Sequence, residues 1–569
     1  MFATFPRKIC KVAASIGTIA LLGFSVSVVA HARTYYVRAD GGPAARCNGT
    51  ADAPANAAPN CAWSSPLEAL PPSLPNYPHP ARIKGGDTLV IDPGVYKIGW
   101  TAGVYDARHY GDNCAIIYAS YCTMQRVPSG TINRPTRVVG AGWDTGCKAP
   151  PELYGVQGVA QIINLDDSSN VVIGCLDLTD HSNCIAGYKP DISYACVTRA
   201  GSGDTSTPKL GLWADKAIHA QDSEGVTLQD LNIHGFADMG VQAGRIRDWK
   251  VTRVKIVGNG NAGWNGDLGG NNHSSTNSRT LTFTDLTIAW NGCAENYPAL
   301  GSYINCWGQN EGGYGDGFSE AWTGGNFVFI RPVVYKNTQD GLDLLYANGS
   351  GSVSVDRGYF AQNAGNDLKT SGNATVTNSV FIGQCTWFKT AGYPAGADSC
   401  RAGGGQLADF TAPNQQVTYA YNTITGDGDC LLGGDSTFNG TSSNVSSSDV
   451  YDIYNNIFVG QASSLARNGG APTCFTYFGD TIHATVNYAS NLVWRTRNTS
   501  CNGASIRCVD PGLRNTTLEA FDPVLLPGSV ARGAASRPPL RGASSTADVT
   551  YVRNIGAVQE GTVPLKPRQ

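Results

Sequence analysis

The feature that most constrains the fold is a short strand-like segment that recurs through the middle of the chain. Each copy alternates β-branched or aromatic residues with polar ones and then reaches a turn residue. When the copies are aligned on one inward-facing apolar position, the closest neighbours are 23, 26 and 21 residues apart. The aligned residues are Ile233, Ile256, Ile288, Val334, Phe360 and Phe381. A repeat of this length without a helical segment predicts a parallel β-solenoid, in which like residues stack in columns about 4.8 Å apart.

One of these columns consists of asparagines. Asn259, Asn291, Asn337 and Asn363 each follow the aligned apolar residue by three positions. Asparagine tolerates left-handed turn geometry, and its amide can bond both the backbone and the amide of the next coil. Matches at one fixed offset argue against a β-sandwich, and a β-propeller would show a longer and more uniform period.

The composition supports an all-β chain and excludes other classes. Charged residues make up only 15% of the 569 residues, whereas glycine and proline are abundant, with 69 and 29 copies. Helical bundles and coiled coils need more leucine, glutamate and lysine, and the apolar runs along the whole chain argue against wholesale disorder. Because the sequence contains no cluster of lysine and arginine, we expect no nucleic-acid partner.

The first 32 residues have the layout of a secretory signal peptide. Arg7, Lys8 and Lys11 precede an apolar run that closes with a small-x-small sequence at residues 30–32. An uncleaved membrane anchor is the alternative. Since no second apolar span follows, cleavage predicts one exported domain over residues 33–569, secreted or periplasmic, without a membrane span. We expect this domain to carry an N-terminal cap and long loop insertions and to be a monomer.

The cysteines fit an oxidising compartment. All but one of the 17 lie beyond the signal segment, and many are close neighbours in sequence. We expect short disulfide-closed loops between Cys47 and Cys61, Cys114 and Cys122, Cys184 and Cys196, Cys293 and Cys306, Cys385 and Cys400, and Cys501 and Cys508. No Cys-x-x-Cys occurs and the histidines are scattered, so a zinc site is disfavoured.

Polar residues, several of them acidic, recur at equivalent positions in three consecutive coils. These coils contain Gly315–Ser319, Gln339–Asp343 and Gly365–Lys369, at spacings of 24 and 26 residues. Alignment on Phe318, Leu342 and Leu368 creates one column of Asp316, Asp340 and Asn366 and a solvent-facing column of Ser319, Asp343 and Lys369. We therefore expect three carboxylates and one lysine to meet on neighbouring coils.

Such a group of side chains has both a functional and a structural interpretation. Several aspartate oxygens suit Ca²⁺, which prefers hard oxygen ligands and accepts flexible geometry. A lysine beside them can remove a proton if burial or a neighbouring positive charge lowers its pKa from about 10.4. In the structural alternative, Asp-Gly and Asn-Asp are ordinary turn dipeptides, and Asp343 and Lys369 form a simple cross-strand ion pair.

The same coils carry a family resemblance. The run Asp316–Leu344, followed by Gly365–Lys369, resembles polysaccharide lyase family 9, the calcium-dependent pectate lyases and related endo-lyases. The opening strand at Thr34–Val37 and the tail at Phe521–Gln559 resemble the ends of secreted right-handed parallel β-helix proteins. The resemblance implies an all-β fold, a single-stranded right-handed parallel β-helix of the pectate lyase-like type.

The resemblance also implies roles for particular residues. By position, Asp316, Asp340 and Asp343 would bind Ca²⁺, and Lys369 would abstract the C5 proton of a uronate during β-elimination. Gln339 stands where the family has a further aspartate. Its carbonyl can still bind the metal, but the lost charge weakens the site.

An acidic polysaccharide substrate would need positively charged subsites. The candidates in or near the same coils are Arg331, Lys336, Arg357 and Lys389. Trp322 and Tyr314 are candidates for stacking on sugar rings. Each basic residue can equally be a solvated surface charge, and each ring can be packed at an insertion.

Two other functions stay open. A β-helix glycoside hydrolase would use paired carboxylates, for which Asp316, Asp340 and Asp343 are candidates whose separation decides. A hydrolase of the polygalacturonase type would combine an aspartate cluster with a His-Gly, and the chain contains Asp166-Asp167 and His234-Gly235, although these lie nearly three coils apart. A non-catalytic adhesin or glycan-binding β-helix would use the aspartates only to close turns. The fold does not distinguish among these, because one fold hosts many functions.

Overall fold

The computed structural model describes most of the chain beyond residue 30. The described residues are 31–72, 79–99, 123–156, 158–186, 196, 213–268, 276–307, 315–320, 323–345, 350–393, 407–410, 415–435, 437–438, 441–442, 449–462, 472–478, 484–536 and 553–559. The chain divides into the units Met1–Ala32 and Arg33–Gln569, and every element below belongs to the second. The proposed signal peptide lies, up to residue 30, outside the described residues.

Parallel strands of successive coils pair into three long sheets, the first two of which are joined through three long strands that they share. The first sheet contains Thr34–Gly42, Thr88–Ile91, Thr136–Gly140, Val171–Asp180, Thr227–His234, Lys250–Val257, Thr280–Thr284, Asn326–Ile330, Ser352–Asp356, Asn373–Thr377, Gln416–Ala420, Val450–Tyr454 and Thr485–Ala489. The second contains Val95–Ile98, Glu152–Gly155, the later halves of the three long strands that begin at residues 171, 227 and 250, and then Thr287–Ala289, Val333–Tyr335, Tyr359–Ala361, Val380–Gly383, Thr423–Gly426, Ile457–Gly460, Asn491–Trp494 and Ile506–Cys508. The third contains Ile163–Asn164, Lys216–Gln221, Met239–Gly244, Ala262–Asn265, Phe318–Ser319, Leu342–Asp343, Leu368–Ser371, Leu407–Phe410, Cys430–Asp435 and Cys474–Phe478. The chain is therefore a parallel β-helix, as the sequence predicts.

The strand register confirms the alignment of the repeats. In the second sheet Ile256 pairs with Ile233 on one side and with Ile288 on the other, and Val334 pairs with Phe360. All of these side chains are buried. Burial of each such side chain stabilises the fold by about 1.5–3 kcal/mol, and stacking repeats this contribution in every coil.

The asparagine column is also confirmed, at the corner between the second and third sheets. The side-chain Nδ2 of Asn259 donates to Oδ1 of Asn291 at 2.9 Å, and Asn291 and Asn337 donate to the next asparagine in the same way. The left-handed residue of this corner is not the asparagine, however. It is the residue before it, as at Trp290 and Lys336, with φ values of 58° and 55°. The asparagine side chains instead bond the next asparagine and nearby backbone groups, as Asn291 Nδ2 does with the Ile256 carbonyl.

The remaining elements are short. They are the 3₁₀ helices Ala55–Ala57 and Leu518–Ala520, the α-helices Pro66–Ala69 and Trp387–Thr390, and the antiparallel pairs Ala294–Glu295 with Tyr303–Ile304, Thr437–Phe438 with Thr441–Ser442, and Leu513–Asn515 with Asp522–Leu525. None of the helices in the described part of the chain is long and apolar enough to cross a membrane.

The disulfides agree in part with the sequence-based pairs. The pairs Cys47–Cys61, Cys184–Cys196, Cys293–Cys306 and Cys501–Cys508 are confirmed. Cys114, Cys122 and Cys400 lie outside the described residues. The structure adds two pairs with larger separations that the sequence did not indicate, Cys147–Cys175 and Cys430–Cys474.

Candidate active site

The polar residues of the three aligned coils lie where the third-sheet strands of those coils begin. Phe318, Leu342 and Leu368 pair in register and point into the core, as their alignment predicts. The next residue of each strand lies on the outer face, which stacks Ser319, Asp343 and Lys369 in one column. The apolar residues therefore position the polar ones.

The column of Asp316, Asp340 and Asn366 is held together by the backbone. Asp316 Oδ1 accepts the Asp340 N–H at 3.0 Å, and Asp340 Oδ1 accepts the Asn366 N–H at 2.6 Å. One oxygen of each aspartate thus closes the turn of the next coil, which is the role in the structural interpretation. The second oxygen of each is not needed for this bond and is available to other groups.

The three carboxylates and Lys369 form a compact group. Asp316, Asp340 and Asp343 each offer an oxygen, and these oxygens lie within 4.8 Å of one another. Lys369 Nζ is 2.5 Å from Asp340 Oδ2 and 3.3 Å from Asp343 Oδ2. The sequence-based grouping of these four residues is thus matched by their positions. We call Asp316, Asp340, Asp343 and Lys369 the carboxylate–lysine cluster.

Burial and mutual charge control ionisation in the cluster. Burial, reinforced by the charges of Asp340 and Asp343, raises the pKa of Asp316 well above its ordinary value. Burial also raises the pKa of Asp343. Burial alone would lower the pKa of Lys369, but the three carboxylates outweigh it and raise that pKa. One ammonium cannot balance three carboxylates, so the cluster requires either a proton or a further cation.

The donor set fits a hard divalent cation. Three carboxylate oxygens within 4.8 Å match the oxygen ligands that Ca²⁺ prefers, and the excess negative charge favours such an ion. Asp316 and Asp340 are buried, whereas Asp343 and the neighbouring Ser319 are partly exposed and mark the side from which solvent reaches the cluster. Gln339 is buried in the same coil as Asp340, and its N–H donates to the Gly315 carbonyl at 3.0 Å. Its role as a ligand stays a prediction.

The structure does not bring two of the proposed substrate residues to the cluster. Arg331 and Arg357 occupy the left-handed bend between the first and second sheets, with the second-sheet strand between them and the third sheet. Arg331 pairs with Asp285 at 2.7 Å, and Arg357 pairs with Asp356 at 2.7 Å. Their assignment to substrate binding stays a prediction, and their position relative to the carboxylate–lysine cluster does not support it.

The two lysines lie outside the bend between the first and second sheets. Lys336 is half-buried in the coil of Asp340, with Nζ 4.8 Å from the ring of Trp290 and 4.1 Å from that of Trp387. Burial lowers the pKa of Lys336. Lys389 is exposed in the helix Trp387–Thr390. Trp322 and Tyr314 lie outside the described residues.

The sequence did not indicate the aromatic partners of Lys336. Trp290, Tyr303, Trp387, Phe388 and Tyr393 form a cluster that joins the insertion closed by Cys293–Cys306 to the segment after Cys385. The sequence does show aromatic residues at the ends of two insertions, but it does not show that they come into contact, because that contact depends on the register of the coils.

The histidine of the His234-Gly235 motif, considered above for a hydrolase, forms structural contacts. His234 is buried between Asp177 and Glu295, with Nε2 2.9 Å from Asp177 Oδ1 and Nδ1 2.5 Å from Glu295 Oε2. It thereby holds the hairpin of the Cys293–Cys306 insertion against the second sheet. His219 bonds Asp166 at 2.8 Å on the face of the third sheet.

Fold and site together define a parallel β-helix protein with a buried carboxylate–lysine cluster on its third sheet. No protein-family model and no curated protein matches the chain. Among solved structures it is similar to the pectate lyase Pel9A, with 12% identity, a TM-score of 0.38, and coverage of 93% of this chain and 96% of that one. It is also similar to the A-module of the Azotobacter vinelandii mannuronan C-5 epimerase AlgE6, with 11% identity, a TM-score of 0.38 and coverage of 75% and 92%.

A lacto-N-biosidase of family GH136 from Eubacterium ramulus aligns over 84% of this chain and 68% of its own, with 10% identity and a TM-score of 0.38. Similarities of this size carry no argument about function. The fold is established by the strand pairing itself, and the function has to be argued from the site.

Proposed function

We propose that the protein is a polysaccharide lyase of the family 9 type, which cleaves an acidic, uronate-containing glycan by Ca²⁺-assisted β-elimination. The observation that carries the proposal is the carboxylate–lysine cluster, in which three carboxylate oxygens lie within 4.8 Å of one another and the lysine contacts two of the carboxylates. The proposal includes export with a cleaved signal peptide and action as a monomer. The disulfides support the oxidising compartment.

In this proposal metal binding and proton abstraction are assigned to different residues. Asp316, Asp340 and Asp343 would hold the cation, with the Gln339 carbonyl as a further ligand. When bound, Ca²⁺ supplies positive charge beside the substrate carboxylate, which makes the C5 proton more acidic. Lys369 Nζ would accept that proton, the electron pair would form the C4–C5 double bond, and the C4 glycosidic oxygen would leave.

Asp340 and Asp343 also orient Lys369. The two contacts hold Nζ against both carboxylates, and Lys369 and Asp340 are themselves buried from water. Lys369 can act as a base only in its neutral form, while its carboxylate neighbours raise its pKa. A cation bound to these carboxylates opposes the increase in the pKa of Lys369, so metal binding and base function are coupled.

Ultraviolet absorbance of digests of polygalacturonate, alginate and chondroitin, with calcium and with chelator, tests the reaction. Elimination creates a conjugated unsaturated uronate, whereas hydrolysis creates reducing ends without that chromophore. Absorbance that depends on calcium would support the proposal and name the substrate. Reducing ends without absorbance would assign a hydrolase, and no product from any of the three would contradict the proposal for these glycans.

The geometry restricts the hydrolase alternative. Inverting glycosidases place their two carboxyl groups roughly 6.5–9.5 Å apart to admit a water molecule, whereas oxygens of all three aspartates lie within 4.8 Å here. A hydrolase that used two of these carboxylates would therefore fit the shorter separation of retaining enzymes, roughly 5–5.5 Å, better than the inverting separation.

A further inference from the structure

The outer face of the third sheet continues on both sides of the carboxylate–lysine cluster. On the C-terminal side, strand register extends the column of Asp343 and Lys369 to Ala408, Gly433 and Tyr477. Each step corresponds to one coil, so Tyr477 lies about 14 Å from Lys369 along the helix axis. The two positions between them in the register are Ala408 and Gly433.

Tyr477 differs from the other aromatic residues of the described chain. Its side chain is 52% exposed, and it is the one aromatic among the exposed large hydrophobic residues of the described part. Its neighbour Phe478 turns inward and packs against Tyr451 at 5.3 Å between ring centroids. The strand alternation therefore presents Tyr477 to solvent on the same face as Lys369.

On the N-terminal side the same column is polar. Ser319, Asn265, Gln242 and His219 follow one another in register and are all half-buried. Their amide, hydroxyl and imidazole groups are suited to hydrogen bonds with sugar hydroxyls. The column thus runs from polar side chains, through the cluster, to an exposed ring.

We propose that this column, from His219 to Tyr477, is an extended binding track for an acidic polysaccharide and that Tyr477 stacks on a sugar ring at a remote subsite. The identity of the polymer as a substrate depends on the proposed function, whereas binding along the track does not. The track covers eight coil steps, or about 38 Å, and the cluster lies near its middle. A chain bound on both sides of the cluster is cut internally, so the proposal predicts endo-type cleavage.

The experiment compares the full-length protein with Tyr477→Ala, Tyr477→Phe and Ile132→Ala. Ile132 is an 85% exposed apolar residue outside the third sheet and serves as the control for loss of surface apolar area. Affinity electrophoresis in gels containing polygalacturonate, alginate or chondroitin measures binding, and steady-state kinetics and product size measure turnover. We expect Tyr477→Ala to raise both the dissociation constant and KM for the polymer about fivefold with kcat unchanged, because ring stacking binds without entering the reaction.

Tyr477→Phe and Ile132→Ala should behave like the wild type, and early products should cover a range of sizes. Equal affinity of Tyr477→Ala and Ile132→Ala would overturn the remote subsite, and release of a single short product from the start would overturn the open track. Polymer binding that Tyr477→Ala weakens, without turnover by any variant, would support the track and contradict the proposed reaction. Failure of the wild type to bind any of the polymers would overturn the track.

Discussion

At Lys369, one ammonium group faces three carboxylates in a largely buried setting. Removal of a buried ion-pair partner leaves uncompensated charge and typically costs about 3–5 kcal/mol. The same residue is the proposed base, so stability and activity have to be separated experimentally. The cluster residues are therefore tested singly and in a compensated pair.

We predict that Lys369→Ala abolishes elimination, with kcat reduced at least about 10²–10⁴-fold, the usual contribution of a general base. The initial rate of ultraviolet absorbance measures this loss, and circular dichroism checks the fold. Lys255→Ala, at an exposed position of the second sheet, is the control. If Lys369→Ala unfolds, the double variant Lys369→Ala with Asp340→Asn removes one carboxylate together with the ammonium and so restores the net charge of the cluster. Unchanged turnover in a folded variant would contradict the assignment of the base.

His234 supports a prediction on pH dependence. Burial lowers its pKa, but the bonds to Asp177 and Glu295 outweigh this and raise the pKa from 6.5 to about 10. A pKa raised in the folded state means that the contribution to stability is complete below pH 6.5 and is lost as pH rises through 10. The Tm difference between the wild type and His234→Gln should therefore narrow over this interval, measured by calorimetry from pH 6 to pH 10.5. A Tm difference that stays constant across the interval would show that the pair does not titrate as proposed.

At the scale of an element, the asparagine ladder joins coils that the sheets also join. Asn337 donates to Asn363 and accepts from Asn291, so its replacement breaks two amide bonds and leaves buried partners unsatisfied. The sequence indicated the ladder because a constant offset is visible without coordinates. It did not indicate which residue of the corner adopts the left-handed conformation, because that depends on how the chain leaves the second sheet.

Asn337→Ala should reduce the free energy of unfolding by about 2–4 kcal/mol, since each buried polar group left without a partner costs about 1–3 kcal/mol. Denaturant unfolding measures the change. Asn373→Ala, at an exposed strand position, is the matched control and should have little effect. A similar loss in both variants would mean that the ladder adds nothing to ordinary sheet pairing.

At the scale of the whole molecule, the cluster links three coils, and a cation held there would stabilise the entire stack. A ligand that binds only the folded state adds about 2.7 kcal/mol at 100 times its Kd. We expect calcium to raise Tm and chelator to lower it in the wild type, but not in Asp316→Asn. Asp144→Asn, at an exposed turn, should respond like the wild type. The same Tm with calcium and with chelator would contradict the cation site.

The sequence by itself determined the coil, the register and the grouping of the four cluster residues. These properties depend on spacing along one chain, and stacking converts equal spacing directly into proximity. The tertiary structure decided what spacing does not encode. It placed Arg331 and Arg357 at a bend away from the cluster, and it brought Trp387 onto Lys336 from an insertion about fifty residues further along.

The pairing of Cys430 with Cys474 across successive coils was likewise decided by the tertiary structure. The same holds for Tyr477, which points outward in line with Lys369. Because the insertions differ in length, the sequence spacing between two residues does not predict where each lies around the coil. Contacts made across them therefore follow only from the folded stack.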